Sequence, residues 1–323
     1  MNTNKLNIYC VGGAAINIGA SIKSYDGKDT PGFAQLKTYF IDTSRSNLTG
    51  DIPEDDIYLV DSLDGSGKVR ASNYQALSEC SKDILHKFKP TTVNIVMHSG
   101  SGGTGSTLGC ILVSEMLERD EVVIAIVIGG SASKIETSNT ANTLKSYEMI
   151  SKKKNKPVVI HYRENTAQRP RGVIDNEIQT AIMLLAATFS GHNRELDGSD
   201  LRNFINYDKV TSYGPRLSML EFFSEKITVS KGSSLISVVT LVDDNISSEL
   251  DISVEYQAVG FLPKTTKTAI ELPIHIGIIA GYFNSVIVSL ETKLDTHVEA
   301  RQIHTEKPLV SENETHTKEG LIL

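Results

Sequence analysis

Apolar and polar residues come in blocks along this chain, and the blocks alternate between two periods. Leu6 to Val11 is a short, nearly unbroken apolar run that reads as a buried strand. Gly12-Gly13 closes it, and Ala14 to Ile22 has helical spacing. Lys37 to Ile41 and Ile57 to Val60 repeat the strand pattern, the first ending in Asp42-Thr43-Ser44, the second followed by Gly65-Ser66-Gly67. Tyr74, Leu77, Ile84, Leu85 and Phe88 then fall on one helical face, and Pro90 stops that helix. Thr92 to Met97 predicts a strand, followed by a loop and a helix running to about Arg119. Val122 to Ile128, a helix around 137–152 and a strand at 157–162 continue the rhythm. Strands without polar faces, alternating with helices, predict a parallel α/β sheet covered on both sides.

Past residue 172 the pattern changes. Val173 to Phe189 is one long helix with Ile174, Ile178, Ile182, Leu184, Leu185 and Phe189 as its apolar positions. Met219 to Phe223, Leu235 to Val242, Ile252 to Phe261 and Ile274 to Ala280 read as strands with less regular helix between them, which predicts a second, smaller α+β domain. Tyr282 to about Gln302 predicts a closing helix carrying Val286, Val288, Leu290 and Leu294. Thr305 to Leu323 is polar and reads as a disordered end, although it finishes Leu321-Ile322-Leu323.

Composition narrows the functional classes. A net charge of -7 supplies no basic field for nucleic-acid phosphates, so no direct nucleic-acid contact is expected. Cys10, Cys80 and Cys110 stand singly in apolar segments, the pattern of a reduced, cytoplasmic protein. No apolar run reaches the ~18 residues of a membrane span, so no membrane partner is expected. The 8 histidines are scattered and suggest no metal centre.

Chemistry concentrates in loops that the pattern places at one edge of the sheet, the carboxyl ends of its strands. These are Gly12-Gly13-Ala14-Ala15, Gly65-Ser66-Gly67-Lys68, and the densest, His98-Ser99-Gly100-Ser101-Gly102-Gly103-Thr104-Gly105-Ser106. Glycine lets backbone approach an anion, Ser101, Thr104 and Ser106 add hydroxyl donors, and a helix start adds free N–H groups. One such loop is as readily a tight turn; three on one edge point to a polyphosphate site. A Rossmann-type NAD(P) oxidoreductase is the rival reading, because Asp42 ends the second strand where a ribose reader would stand. Against it, Gly12-Gly13-Ala14-Ala15-Ile16-Asn17 is not GxGxxG, and the richest loop follows the fourth strand. No GxxxxGK[ST] occurs, so this is not a P-loop.

Taken together, these motifs resemble the tubulin/FtsZ superfamily of polymerising GTPases, most closely the phage tubulins of the PhuZ type. Ser101-Gly102-Gly103-Thr104-Gly105-Ser106 resembles that family's GGGTGS phosphate loop, with Ser101 replacing the first glycine. Gly12-Gly13-Ala14-Ala15-Ile16-Asn17 resembles its GGxGxN loop, with Ala15 replacing a glycine. Phe40-Ile41-Asp42-Thr43 resembles a phage FDT pattern with Ile41 inserted. Leu196-Asp197-Gly198-Ser199-Asp200-Leu201 resembles the D-x-x-D-[LV] loop that, in the family, enters the nucleotide pocket of the next subunit and positions the attacking water. Asp197 also reads as a plain helix N-cap.

The resemblance implies GTP/GDP and Mg2+ as ligands, with cofactor contacts from Gly12, Gly13, Ala14, Asn17, Asp42, Thr43, Gly65, Gly67, Ser101, Gly102, Gly103, Thr104, Gly105 and Ser106, and no dedicated metal ligand. It implies Asp197 and Asp200 as the catalytic carboxylates. Asn165 matches one base reader; the second falls on Asp175 or its neighbour Asn176. Glu136 matches a ribose contact or is a solvated residue of a helix start. The implied organisation is a GTP-binding domain over 1–172, a central helix over 173–195, an α+β domain over 196–281, and a C-terminal helix and tail over 282–323. The implied function is a head-to-tail homopolymer that hydrolyses GTP at its junctions and positions phage DNA, capsids or the replication compartment in the bacterial cytoplasm. A non-polymerising nucleotide-binding protein of the same fold is the other reading. Glu312, Glu314 and Glu319 would give the tail a weak longitudinal contact, against Lys307 and Lys318.

Overall fold

A computed structural model describes residues 4–305 other than 49, 62, 64–66, 225, 244–252 and 263–269; for 71, 72 and 297–305 it describes the backbone alone. The described strands form a single ten-stranded sheet. Its first part comprises β1 (Lys5–Val11), β2 (Gln35–Asp42), β3 (Ile57–Leu59), β4 (Val93–Ser99), β5 (Val123–Gly130) and β6 (Val158–Asn165). These pair in the order β3-β2-β1-β4-β5-β6, all parallel. The helices between them are α1 (Gly13–Ile22), α2 (Arg70–Lys87), α3 (Thr104–Glu118) and α4 (Lys134–Lys154). The α/β class expected from the pattern is the one found.

The strands read as unbroken apolar runs because both faces are covered. In β5, Ile124, Ile126 and Ile128 pack toward α1 and the central helix α5 (Arg171–Thr188). Val123, Ala125 and Val127 pack on the other side, with buried residues of α2, α3 and α4. Strand periodicity thus feeds two separate cores from one sequence. In α5, Ile174, Ile178, Ile182 and Leu185 form one fully buried stripe; removing any of these side chains from water contributes about 1.5–3 kcal/mol.

The remaining elements are α6 (Gly198–Ile205), β7 (Leu217–Phe223), β8 (Ser234–Val242), β9 (Tyr256–Phe261), β10 (Ile274–Ala280) and α7 (Tyr282–Thr305). Strand β7 extends the sheet parallel to β6; β10 then joins antiparallel to both β7 and β8, and β9 lies parallel to β8 at the edge. Two side chains depart from the pattern reading. Tyr74, expected on the buried face of α2, is 58% exposed, and Val288 of α7 is 62% exposed. Val288 falls between the turns that bury Phe283 and Leu290, so the buried stripe of α7 passes it by. The three thiols are free, and no helix among the described residues is long and apolar enough to cross a membrane.

Candidate functional site

Strand order opens the site. From β1 the chain builds outward through β2 and β3, then returns to β1's other side for β4, β5 and β6. Helix α1 therefore leaves β1 on one face of the sheet, and α3 leaves β4 on the other. The loops after β1 and β4 diverge, leaving a crevice at their carboxyl ends. This answers why the densest glycine loop lies near residue 100: β4 is β1's neighbour across the switch point.

The floor of that crevice is backbone. Gly12 has φ +80, and a Cβ on it would stand 3.3 Å from the Gly105 nitrogen. A Cβ on Gly105 would meet the Ser99 nitrogen, the Ser99 oxygen and the Val11 oxygen, each at 3.0 Å. Helices α1 and α3 both begin here, and neither N-cap residue, Gly12 or Gly103, supplies a side-chain cap. First-turn N–H groups of a helix without a side-chain cap suit an anionic ligand. The Ser99 hydroxyl shapes the loop by accepting from the amides of Ser101 and Gly102, each at 3.2 Å. Ser106 donates to the Gly103 carbonyl at 3.2 Å.

Two neighbours brace the loop from outside. The Asn139 side-chain amide donates to Ser101 O (3.1 Å), Gly102 O (3.4 Å) and Lys68 O (2.9 Å). Arg70 donates to Ser106 O at 2.7 Å and to the Thr143 hydroxyl at 2.6 Å. Neither Asn139 nor Arg70 was among the expected site residues. The signal for Asn139 was present: the buried face of early α4 is Thr137, Asn139, Thr140 and Thr143, where a core-facing helix would carry aliphatics.

On the β2 side, the Thr43 and Thr104 hydroxyls lie 2.8 Å apart. Asp42 is buried and accepts from the Thr43 amide (2.8 Å) and the Asn47 side chain (3.0 Å). Burial pushes its carboxyl above the usual range, against the pull of those donors. Asn47 also lies over Gly13, where any Cβ would collide with its amide. Glu136 pairs with Lys68 at 2.5 Å across the crevice rim. Gly67 closes the β3 loop with φ +53; Gly65 lies outside the described residues.

At the β6 end, the Asn165 Oδ1 atom is buried without a hydrogen-bond partner among the described residues. An unsatisfied acceptor of this kind suits a ligand N–H. Helices α1 and α5 run side by side in the same sense, joined by Gln179 donating to Ser21 at 2.8 Å. One turn earlier on each stand Asn17 and Asp175. Asp175 is half-buried, 3.4 Å from Arg171, and burial raises its carboxyl pKa. Asn176 is exposed and lines a different cleft, of about 640 Å³, with Tyr25, Met183 and Phe222. Asn17 and Asp175 thus stand near the starts of two neighbouring helices, Asn165 ends β6 at the carboxyl edge, and Asn176 lines the other cleft.

Asp197 and Asp200 lie elsewhere. Asp197 caps α6: its Oδ1 accepts from the amides of Ser199 (2.7 Å) and Asp200 (3.0 Å), and Asp200 Oδ2 accepts from the Asp197 amide at 3.1 Å. This reciprocal pair is a capping box. The Tyr256 hydroxyl donates toward Asp200 Oδ1 at 3.3 Å. Helix α6 borders a pocket of about 460 Å³ with Val122 and Lys156, which precede β5 and β6. That is the amino edge of the sheet; the glycine loops are at the carboxyl edge. A seven-residue strand separates the edges by roughly 23 Å. Among the described residues no group of three or more His, Cys, Asp or Glu could hold a metal ion.

Comparison with known proteins agrees with this geometry. The chain is 26% identical, over all of both chains, to a phage tubulin-like protein of Pseudomonas phage PhiPA3. It is 31% identical over 221 residues, 65% of each chain, to a phage tubulin-like protein of Pseudomonas phage phiKZ. Among solved structures it superposes on the phage tubulin PhuZ with GDP at a TM-score of 0.85, with 19% identity and 98% and 99% of the two chains covered. The protofilament of TubZ from bacteriophage PhiKZ matches at 0.79, with 24% identity over the same shares. The chain belongs to the phage tubulin-like proteins of the tubulin superfamily. No family model matches it. For this phage tubulin-like protein, the oxidoreductase reading falls away with the family.

Proposed function

We propose that this phage tubulin-like protein binds GTP in the β1/β4 crevice, assembles head-to-tail into filaments, and hydrolyses GTP at the junctions between subunits. One observation carries this reading: the glycine loops and the Asp197/Asp200 pair occupy opposite edges of one sheet, too far apart to act on one ligand within one chain. Stacking one subunit on another brings the carboxyl edge of the first against the amino edge of the second. Such a contact is heterologous and leaves both ends open, so it propagates as a filament. A related solved structure is a protofilament, and another holds GDP.

The crevice fits the ligand. Backbone amides of Gly13, Ala14, Gly103 and Gly105 would hold the phosphates; the Gly12 amide is taken by Ile41 O, and those of Ser101 and Gly102 by the Ser99 hydroxyl. Asn165 Oδ1 would accept from a guanine N–H, and Asp175 can accept from N1–H and N2–H together. Mg2+ would sit on the phosphate oxygens and offset their charge. Asp42 already accepts two hydrogen bonds, so the chain offers the ion few ligands, as suits a cation that keeps its waters. A carboxylate of Asp200 or Asp197 from the neighbouring subunit would orient water and accept its proton as the terminal phosphoryl group leaves. By kinship, the filament would position phage DNA, capsids or the replication compartment in the host cytoplasm. The tail contact expected from Glu312, Glu314 and Glu319 falls outside the described residues.

The test is sedimentation of purified protein with GTP, GDP or no nucleotide, with phosphate release followed in parallel. GTP-dependent pelleting, with release that rises as polymer forms, is the expected result. Release at full rate from protein that never sediments overturns the junction mechanism.

A further inference from the structure

The edge strand β9 holds the segment that carries Asp197 and Asp200 at three points. Arg194 and Phe261 exchange backbone hydrogen bonds at 3.1 and 3.0 Å, an isolated antiparallel bridge. Leu196 lies over Gly260, where a Cβ would come within 2.9 Å of the leucine side chain. At the start of β9, the Tyr256 hydroxyl donates to two oxygens of one residue, the Asp200 carbonyl at 3.2 Å and Asp200 Oδ1 at 3.3 Å. Oδ2 of the same carboxylate accepts from the Asp197 amide. Both carboxylate oxygens of Asp200 are thus engaged, and one hydroxyl ties the side chain to its own backbone. Tyr256 is itself fixed. Glu255 before it accepts from the amide and the hydroxyl of Ser212, each at 2.5 Å. Ser237, opposite Tyr256 in the β8/β9 register, donates to the Phe204 carbonyl at 3.3 Å, about one helical turn beyond Asp200. Neighbouring strands therefore grip successive turns of α6. Burial, and then the charge of Asp200, raise the Tyr256 pKa, so the phenol remains a donor at neutral pH.

We infer that Tyr256 is a positioning residue for hydrolysis: its hydroxyl fixes the Asp200 carboxylate in the orientation that the site on the next subunit needs. This rests on the proposed junction mechanism, in which that carboxylate orients water. Tyr256 acts there through Asp200. A carboxylate that orients water must itself be held, because a misplacement of about 1 Å can cost on the order of a hundredfold in rate. The edge strand of the sheet would thereby set the activity of a pair of aspartates that lies outside the sheet, between α5 and the first turn of α6.

The test is a double-mutant cycle on phosphate release per sedimented subunit, with GTP, for wild type, Tyr256→Phe, Asp200→Asn and the double variant. Phenylalanine keeps the ring and removes only the hydroxyl. Tyr256→Phe should sediment as wild type does and release phosphate about fivefold or more slowly. In the Asp200→Asn background the same change should alter the residual rate by less than about 1.5-fold, since the two residues act as one unit. Wild-type release by Tyr256→Phe, beside a crippled Asp200→Asn, overturns the positioning role alone. So does a loss that persists in full in the Asp200→Asn background, which would mean that the hydroxyl acts on the fold and not through Asp200. Should Tyr256→Phe not sediment by itself, release is read from its co-polymer with wild type: a fall in proportion to the variant's share supports the inference, and an unaltered rate overturns it. Wild-type release by Asp200→Asn removes the junction mechanism itself, and the inference with it.

Discussion

The Thr43 hydroxyl lies 2.8 Å from that of Thr104, joining the end of β2 to the first residue of α3 across the mouth of the crevice. Both residues are buried. This bond fixes the rotamer that points the Thr104 oxygen relative to the phosphate loop. Thr104→Val keeps the shape and removes the hydroxyl, leaving Thr43 without that partner. It should cost about 1 kcal/mol of stability and weaken GTP and GDP alike by about tenfold in a titration. Unchanged affinity for both nucleotides would place the phosphates elsewhere.

Gly105 tests the crevice floor. Alanine there would bring a methyl carbon to 3.0 Å of three backbone atoms, from Ser99 and Val11, none of which can rotate away. Gly105→Ala should cost about 1–3 kcal/mol in denaturant unfolding by overpacking, and abolish measurable nucleotide binding. Gly198→Ala is the control: a Cβ there meets nothing within 4 Å, so nucleotide binding should be unaltered.

The two aspartates of α6 carry structural as well as proposed chemical work. Asp197→Ala removes the acceptor for two amides and should cost about 0.5–2 kcal/mol. Asp200→Asn keeps an acceptor for the Asp197 amide, so its melting temperature should change little. Its polymer should still sediment with GTP and yet release phosphate at a small fraction of the wild-type rate. Wild-type release by Asp200→Asn filaments would assign the chemistry to another group.

Acid should destabilise the fold before its carboxylates protonate. His98 and His161 are buried, and burial lowers each pKa to about 4. An unfolded histidine titrates near 6.5. Between these values the unfolded chain binds more protons, so stability is full above about pH 6.5 and falls as pH drops toward 4. By pH 5 each histidine should cost about 2 kcal/mol relative to pH 8. His161→Gln, whose amide can still donate to Leu220 O, should roughly halve the slope of urea midpoint against pH between 5 and 6.5. A slope unaltered in this variant would mean that His161 is not the titrating group.

Much of this molecule was readable before its structure. Ile174, Ile178, Ile182 and Leu185 announce α5 by spacing, and all four are buried on one stripe. The apolar runs at 6–11 and 122–128 announce strands covered on both faces, and both lie inside the sheet. Glycines announced where backbone must approach a ligand, because no other residue type permits Gly12 and Gly105 to touch. Contacts between polar residues far apart in sequence were not readable. Asn139 meets Lys68 O across 71 residues, and Thr43 meets Thr104 across 61. The polar face of early α4 marks Asn139 as unusual, but nothing local names its partner or that of Thr43. Periodicity erred at Tyr74 and at Val288, where a helical stripe is narrower than the set of apolar residues that suggests it.

The length of α5 has a consequence for the polymer as a whole. The helix spans 18 residues, about 27 Å at 1.5 Å per residue, and carries the chain from the carboxyl edge of the sheet to the amino edge. It is therefore a ruler. In the proposed head-to-tail stack, this helix spans the distance between the nucleotide loops and the Asp197/Asp200 loop of one subunit. One residue added to α5 would move the second half-site by 1.5 Å and rotate it by about 100°. Under the proposed junction mechanism, the placing of Asp197 and Asp200 against the next subunit then depends on the residue count of one helix.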